Sequence, residues 1–257
     1  KMSNVQEYDS RLEMERRYCF TEQEFLILAS SLGIRSLYGF KPKEPLKTDD
    51  KELYQQLFRM TKKGFLNVSG EGYLVTPGIR ELFYHLKKSD SVITICDVDD
   101  SFPEKCIYAG QKFVLIEPGG LKGKYFKCTY DRPDKLREML CENGILFFRN
   151  VTDDILYDAF PIENIFPEDR VLMQLAWDMW EESGMEVREE MRAHNVRTIL
   201  EKRDIPSDTL QKRMFLAKRE IDDVILLQSG DSVQLFHYSR QLFLELLEEW
   251  MMEGNWE

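Results

Sequence analysis

Residues 53–88 read LYQQLFRMTKKGFLNVSGEGYLVTPGIRELFYHLKK, and the shifts of hydrophobic period along this stretch set the terms for the fold. Leu53, Leu57 and Met60 recur at helical spacing, so they predict a helix that starts at Thr48 or Asp49 and ends at Gly64. Two short strands, 65–68 and 73–76, follow and are joined by Ser69-Gly70-Glu71-Gly72. The glycines supply the positive φ that a tight reversal needs. Pro77 then suits the first turn of a further helix running to about Lys88, with Ile79, Leu82, Phe83 and Leu86 facing inward.

Upstream, Thr21 and Glu24 have the spacing of a capping box. Phe20 and Phe25 stand where a hydrophobic staple would close over the first turn, and Leu28, Ala29 and Leu32 continue the stripe to Gly33. Residues 1–17 are charged and suggest a tail or a short helix. Downstream the period changes to two. VITICDV (92–98), KCIYA (105–109), KFVLIE (112–117) and KYFKCTY (124–130) read as strands, with Glu117-Pro118-Gly119-Gly120 opening a turn. Pro133 begins a predicted helix bearing Leu136, Met139 and Leu140 and closed by Gly144; ILFFRNV (145–151) is expected to be another strand. In the last third the pattern predicts helices over 168–183, 186–202 and 207–220. A hairpin of VILLQ (224–228) and VQLFH (233–237) turns at Ser229-Gly230-Asp231-Ser232, and Ser239 caps a final helix. Strand meander, helix and hairpin together give an α+β fold class, a mostly antiparallel sheet flanked by helices. The expected organisation is residues 1–90 as a helical segment with a small hairpin and residues 91–257 as the sheet-containing body.

Charge divides along the same line. Residues 1–90 hold 15 Lys and Arg against 13 Asp and Glu, whereas residues 91–257 hold 20 against 33. Such an acidic body argues against broad contact with nucleic acid or anionic lipid. No run approaches the apolar length of a membrane span, and the first residues lack a signal-peptide core. The five cysteines, Cys19, Cys96, Cys106, Cys128 and Cys141, have no C-x-x-C pairing and read as reduced thiols of a cytoplasmic protein. No metal or cofactor is expected. The glycine-rich 119–124 segment has the wrong spacing for a phosphate loop, and His85, His194 and His237 share no ligand spacing. Asp97, Asp99 and Asp100 read as a strand-end loop.

The final helix, with Phe243, Leu246, Leu247, Trp250 and Met251, is broadly apolar. Trp177, Trp180, Met252 and Trp256 add to the aromatic and methionine wealth of this region. Since Trp and Met favour interfaces, the first five are the candidate partner-binding residues.

Residues 53–88 also resemble a winged-helix module: a helix ending in Lys-Gly, a wing ending in Tyr-x-x-Thr, and a helix opened by Pro-Gly. If residues 49–63 were a recognition helix, Gln55, Gln56, Arg59, Lys62 and Lys63 would face DNA. The first turn, with Asp49, Asp50 and Glu52, would repel phosphates. Over most of the chain, the order of elements is similar to the EspG-type chaperones of type VII secretion. In that family helices pack beside a central, mostly antiparallel sheet, with a hairpin and helix near the C-terminus. The resemblance implies a cytosolic chaperone or adaptor for secreted helical-hairpin proteins of a Gram-positive bacterium, and it carries no residue-level motif. The expected function is therefore non-enzymatic protein binding, with a winged-helix DNA-binding regulator as the alternative.

Overall fold

The computed structural model describes residues 17–34, 37–38, 49–70, 72–99, 104–119, 125–137, 139, 160–182, 185–219 and 222–253. In chain order the first elements are β1 (Arg17–Thr21), α1 (Glu22–Ser31), α2 (Asp50–Lys62), β2 (Leu66–Ser69), β3 (Gly72–Val75) and α3 (Pro77–Lys87). Next come β4 (Ser91–Asp97), β5 (Lys105–Ala109), β6 (Phe113–Gly119), β7 (Tyr125–Asp131) and a 3₁₀ turn at Pro133–Lys135. The last are α4 (Pro167–Asp178), α5 (Met185–Ala193), β8 (Val196–Asp204), β9 (Leu210–Lys218), β10 (Asp223–Ser229), β11 (Ser232–His237) and α6 (Arg240–Met252). The fold class is α+β. The expected strand at 145–151, Leu140, Gly144, Asp100, Glu71, the turn at 120–124 and Trp256 lie outside the described residues.

Contacts separate the chain into one unit of residues 1–89 and 106–132 and another of residues 90–105 and 133–257. The first unit thus takes in β6 and β7 as well as the N-terminal helices. The reason is β1, which pairs antiparallel with β7 and places Phe20 opposite Phe126. Its sheet runs β1–β7–β6–β5, antiparallel throughout.

In this unit the anticipated caps form. The Thr21 hydroxyl accepts the Glu24 N–H at 3.3 Å, and the Glu24 carboxylate accepts the Thr21 N–H at 2.9 Å. The staple closes with Phe20 and Phe25 ring centres 6.2 Å apart. Asp49 caps α2 through the Glu52 N–H at 3.1 Å, and Gly64 leaves the helix at φ +75°. Phe20 also lies 5.0 Å from the Phe65 ring and 6.0 Å from Phe83, while Phe25 lies 6.1 Å from Phe126. One aromatic cluster therefore joins β1, α1, α3, β7 and the residue that leads into β2.

The second unit is built on a five-stranded antiparallel sheet ordered β4–β8–β9–β10–β11. Leu172 and Ala176 of α4 and Val187 and Met191 of α5 pack on one face, against Ile199, Phe215, Val224 and Leu226. Strand alternation turns Leu200, Met214, Leu216 and Ile225 to the opposite face, and these are buried as well.

Two sequence expectations are corrected here. The helices anticipated at 186–202 and 207–220 are one short helix, α5, followed by the strand pair β8–β9. Asn195, at φ 60°, stops α5, and Asp204 turns the chain between the strands by accepting the Ser207 N–H at 2.8 Å. What disguised the strands is their charge. Arg213 is fully buried: it pairs with Glu201 at 2.7 Å and donates to the carbonyls of Met179 at 2.8 Å and Glu182 at 2.6 Å. The guanidinium thereby satisfies carbonyls just beyond the C-terminus of α4, where peptide dipoles favour a cation. Gln228 donates to the Ala176 carbonyl at 2.8 Å, and Arg219 pairs with Asp169 in the first turn of α4. On the other face Lys202 and Lys212 converge on Glu253 at the end of α6.

Cys96, Cys106 and Cys128 are buried and Cys19 is exposed, all four as free thiols. Burial, opposed by the Arg188 charge, pushes the Cys96 thiol up to about 12.

Arg213→Met is expected to lower the unfolding free energy by about 3–5 kcal/mol, because it leaves two carbonyls without their donor and Glu201 with only its longer contact to Arg203; urea melts of wild type and variant measure it. A second expectation concerns acid. Burial works against the Glu253 charge, but hydrogen bonds from Lys212 and Lys202 hold its carboxyl below the usual glutamate value of 4.5. A lowered folded-state value means stabilisation that is full above the unfolded value and lost as pH falls through the folded one. Acid should therefore loosen the end of α6 below about pH 4.5, with hydrogen exchange of α6 as the readout, and Glu253→Gln should flatten that dependence.

Candidate functional site: a helix–hairpin face

The final helix is not the exposed apolar face its composition suggests. Phe243 and Leu247 are completely buried, Trp250 and Met251 nearly so, and Leu246 is half-buried. Leu242 and Leu244 are buried too, so packing consumes the apolar width of α6 apart from Met252 at its end. The Ser239 hydroxyl caps its start at 3.0 Å, and the lysine pair on Glu253 holds its end.

Unpacked apolar surface lies on α2 and the β2–β3 hairpin, and in the second unit Phe160, Phe166, Val171 and Trp177 are exposed at and before α4. Only Met60 of α2 is fully buried, with Leu53 and Leu57 half-buried beside it. Tyr54 and Phe58, one turn apart, are 66% and 58% exposed. The Lys62 ammonium lies 4.6 Å from the centre of the Phe58 ring, within cation–π range. Gln55 and Arg59 are exposed and Gln56 is half-buried. All three, with Glu52, border a cleft of about 190 Å³ shared with Gln23 and Ile27 of α1.

The hairpin projects from a fixed root. Leu66 is buried and pairs with Val75; the next pairs outward are Asn67 with Leu74 and Val68 with Tyr73. Val68, Leu74 and Tyr73 are exposed, the first at 70%. Alternation places Val68 and Tyr73 on one face and Leu74 on the other, so both faces are apolar at the tip. Thr76 closes the root by donating its N–H to the Phe65 carbonyl at 3.0 Å, and Arg80 donates to the Val75 carbonyl at 3.2 Å. The Glu24 carboxylate that caps α1 also pairs with Lys63 at 2.6 Å, which ties the end of α2 to the start of α1.

Of the residues expected to face DNA, Gln55, Arg59 and Lys62 are exposed, while Lys63 is committed to Glu24. The acidic first turn is as anticipated: Asp49 caps the helix and Asp50 and Glu52 are exposed. Helix, hairpin and helix follow in the order the sequence suggests.

Two of the three histidines serve packing and pairing. His85 is buried and stacks on Tyr130 at 6.1 Å, and burial lowers its pKa, with Lys112 adding to the effect. His237 meets Asp222 at 2.6 Å. Among the described residues no group of three His, Cys, Asp or Glu could hold a metal ion.

The exposed face had a sequence signal. Five of the eight residues 53–60 are large and apolar, in the adjacent pairs 53–54 and 57–58. That is too wide for one buried stripe on a surface helix. The hairpin residues carried the same excess, with Val68 and Leu74 falling on opposite faces.

No protein-family model matches the chain, and no curated protein matches it in sequence. Among solved structures it is similar to the Mycobacterium tuberculosis type VII secretion system chaperone EspG5 in complex with a PE25–PPE41 dimer. The TM-score is 0.51 at 11% identity, over 93% of this chain and 96% of that one. The likeness is one of fold.

Surface and core assignments separate on substitution. Phe58→Ser is expected to change stability by no more than about 0.5 kcal/mol, whereas Trp250→Ala should cost about 3–5 kcal/mol. Thermal and urea melts of the two variants measure both.

Proposed function

We propose that the chain is a non-enzymatic adaptor or chaperone that holds another protein on the face formed by α2 and the β2–β3 hairpin. The observation that carries this reading is the group of exposed Tyr54, Phe58, Val68, Tyr73 and Leu74 on two elements with firmly bonded roots. Exposed apolar groups gathered on rigid elements mark protein-binding surfaces, and a preformed surface spares the partner much of the ordering cost. The sharpest form of the proposal is a cytoplasmic chaperone for a secreted helical protein. The fold it shares with a secretion chaperone whose structure holds a protein dimer supports that form. Docking would proceed by burial of the aromatic pair and the wing tip, with charged neighbours setting orientation.

A second reading, a winged-helix DNA-binding regulator, draws on Gln55, Arg59 and Lys62, which all reach solvent. Asp50 and Glu52 in the leading turn weigh against it.

Affinity capture of the full chain from its own cells after nuclease treatment, with partners identified by mass spectrometry, separates the readings. A stoichiometric protein partner is expected, lost with Phe58→Asp and retained with the surface change Trp177→Ala. Recovery of nuclease-sensitive material alone, or a partner indifferent to Phe58→Asp, would overturn the proposal.

A further inference from the structure

We infer that the segment docking on α2 is an acidic amphipathic helix, two apolar side chains one turn apart with a carboxylate about one turn beyond each end. The inference rests on the protein-docking reading above. Its basis is a stripe along the helix: Lys51, Tyr54, Phe58 and Lys62 follow one another at spacings of three, four and four, so they lie on one side. All four are exposed. The two lysines stand eleven positions apart, roughly 16 Å along the axis at about 1.5 Å per residue. Two aromatics are thus bracketed by two positive charges, and Arg59 flanks them on the cleft side.

These cations are not neutralised by carboxylates of the described residues, unlike many arginines of the second unit. Arg188, Arg192, Arg197, Arg203, Arg213 and Arg219 of the second unit each sit in an ion pair with a carboxylate. Lys51, Arg59 and Lys62 have no carboxylate within ion-pair distance among the described residues, although the chain carries an excess of 11 acidic groups. The unit that holds α2 is itself basic, with 20 Lys and Arg against 14 Asp and Glu, while the other has 15 against 32. Unpaired cations around exposed aromatics complement carboxylates around apolar side chains.

The same stripe disfavours the other occupants. A second copy docking α2 against α2 would bring lysine to lysine at the ends of the aromatic pair. A nucleic acid would meet Asp50 and Glu52 on the same helix.

The test is a displayed library of helical peptides selected on the full-length chain and counter-selected on its Phe58→Asp variant. Binders are then measured by fluorescence anisotropy against wild type and a Lys51→Glu/Lys62→Glu double variant, with melting curves to confirm folding. The expected binders are net negative, weaken about tenfold or more on the double variant, and weaken again as salt rises. Neutral or basic binders, or acidic ones indifferent to the double variant, overturn the acidic assignment and leave the docking face standing. A library yielding nothing that depends on Phe58 removes the docking reading and this inference with it. A labelled 20-base-pair duplex that binds more tightly than any peptide, and is lost on the double variant, replaces the carboxylates with phosphates and overturns the inference.

Discussion

Phe20 is fully buried at the point where β1 gives way to α1, and its ring touches those of Tyr18, Phe25, Phe65 and Phe83. Edge-to-face and tilted ring packing of this kind fixes angles as well as distances. Because Phe65 is the first residue after the α2 stop, the cluster sets where the hairpin begins. Because Phe83 belongs to α3, it also sets where the chain goes after the hairpin. Glu24 adds the polar counterpart, one carboxylate shared between the cap of α1 and the last turn of α2. The exposed apolar residues of α2 and the β2–β3 hairpin therefore stand on elements that are tied down at their base.

The second unit solves a different problem with buried charge. A desolvated guanidinium is costly unless its donors find acceptors, and each nitrogen of Arg213 has one, from one carboxylate and two carbonyls at a helix end. Lys202 is nearly as buried; burial presses its pKa down while Glu253 resists. Each such group ties a helix to a strand by directional bonds, so helix placement does not rest on apolar packing alone. Gln228 does the same along α4, and Arg219 adds an ion pair to Asp169 in its first turn.

Those buried charges also explain what the sequence concealed. Local signals were legible wherever they depended on nearby residues: the Thr21–Glu24 box, the Asp49 and Ser239 caps, the Gly64 stop, and both hairpins with their glycine turns. β8 and β9 were not, because Glu201, Lys202, Lys212 and Arg213 look like a solvated helical face until their partners, distant in sequence, are known. The same limit applied to α6. Its apolar residues could have been surface or core, and only the two covered faces of the sheet decide for core. β1 was hidden for another reason: five residues beside a charged stretch carry little periodicity, and their partner strand lies more than a hundred residues downstream. On α2 the signal was present but ambiguous, since a wide apolar helix fits deep burial as readily as an exposed face.

Cys19 has the reverse character of the other described cysteines. It stands exposed on β1, opposite Lys127 and next in sequence to Phe20. Cys96, Cys106 and Cys128 are shielded, and burial suppresses thiolate formation at Cys96 and Cys128. Thiol reagents act through the thiolate, so they discriminate among these four positions in favour of Cys19. A dye or spin label placed there would sit at the edge of the aromatic cluster that roots the hairpin. The fold thus offers a native attachment point from which motion at the base of the hairpin can be followed without engineering a new one.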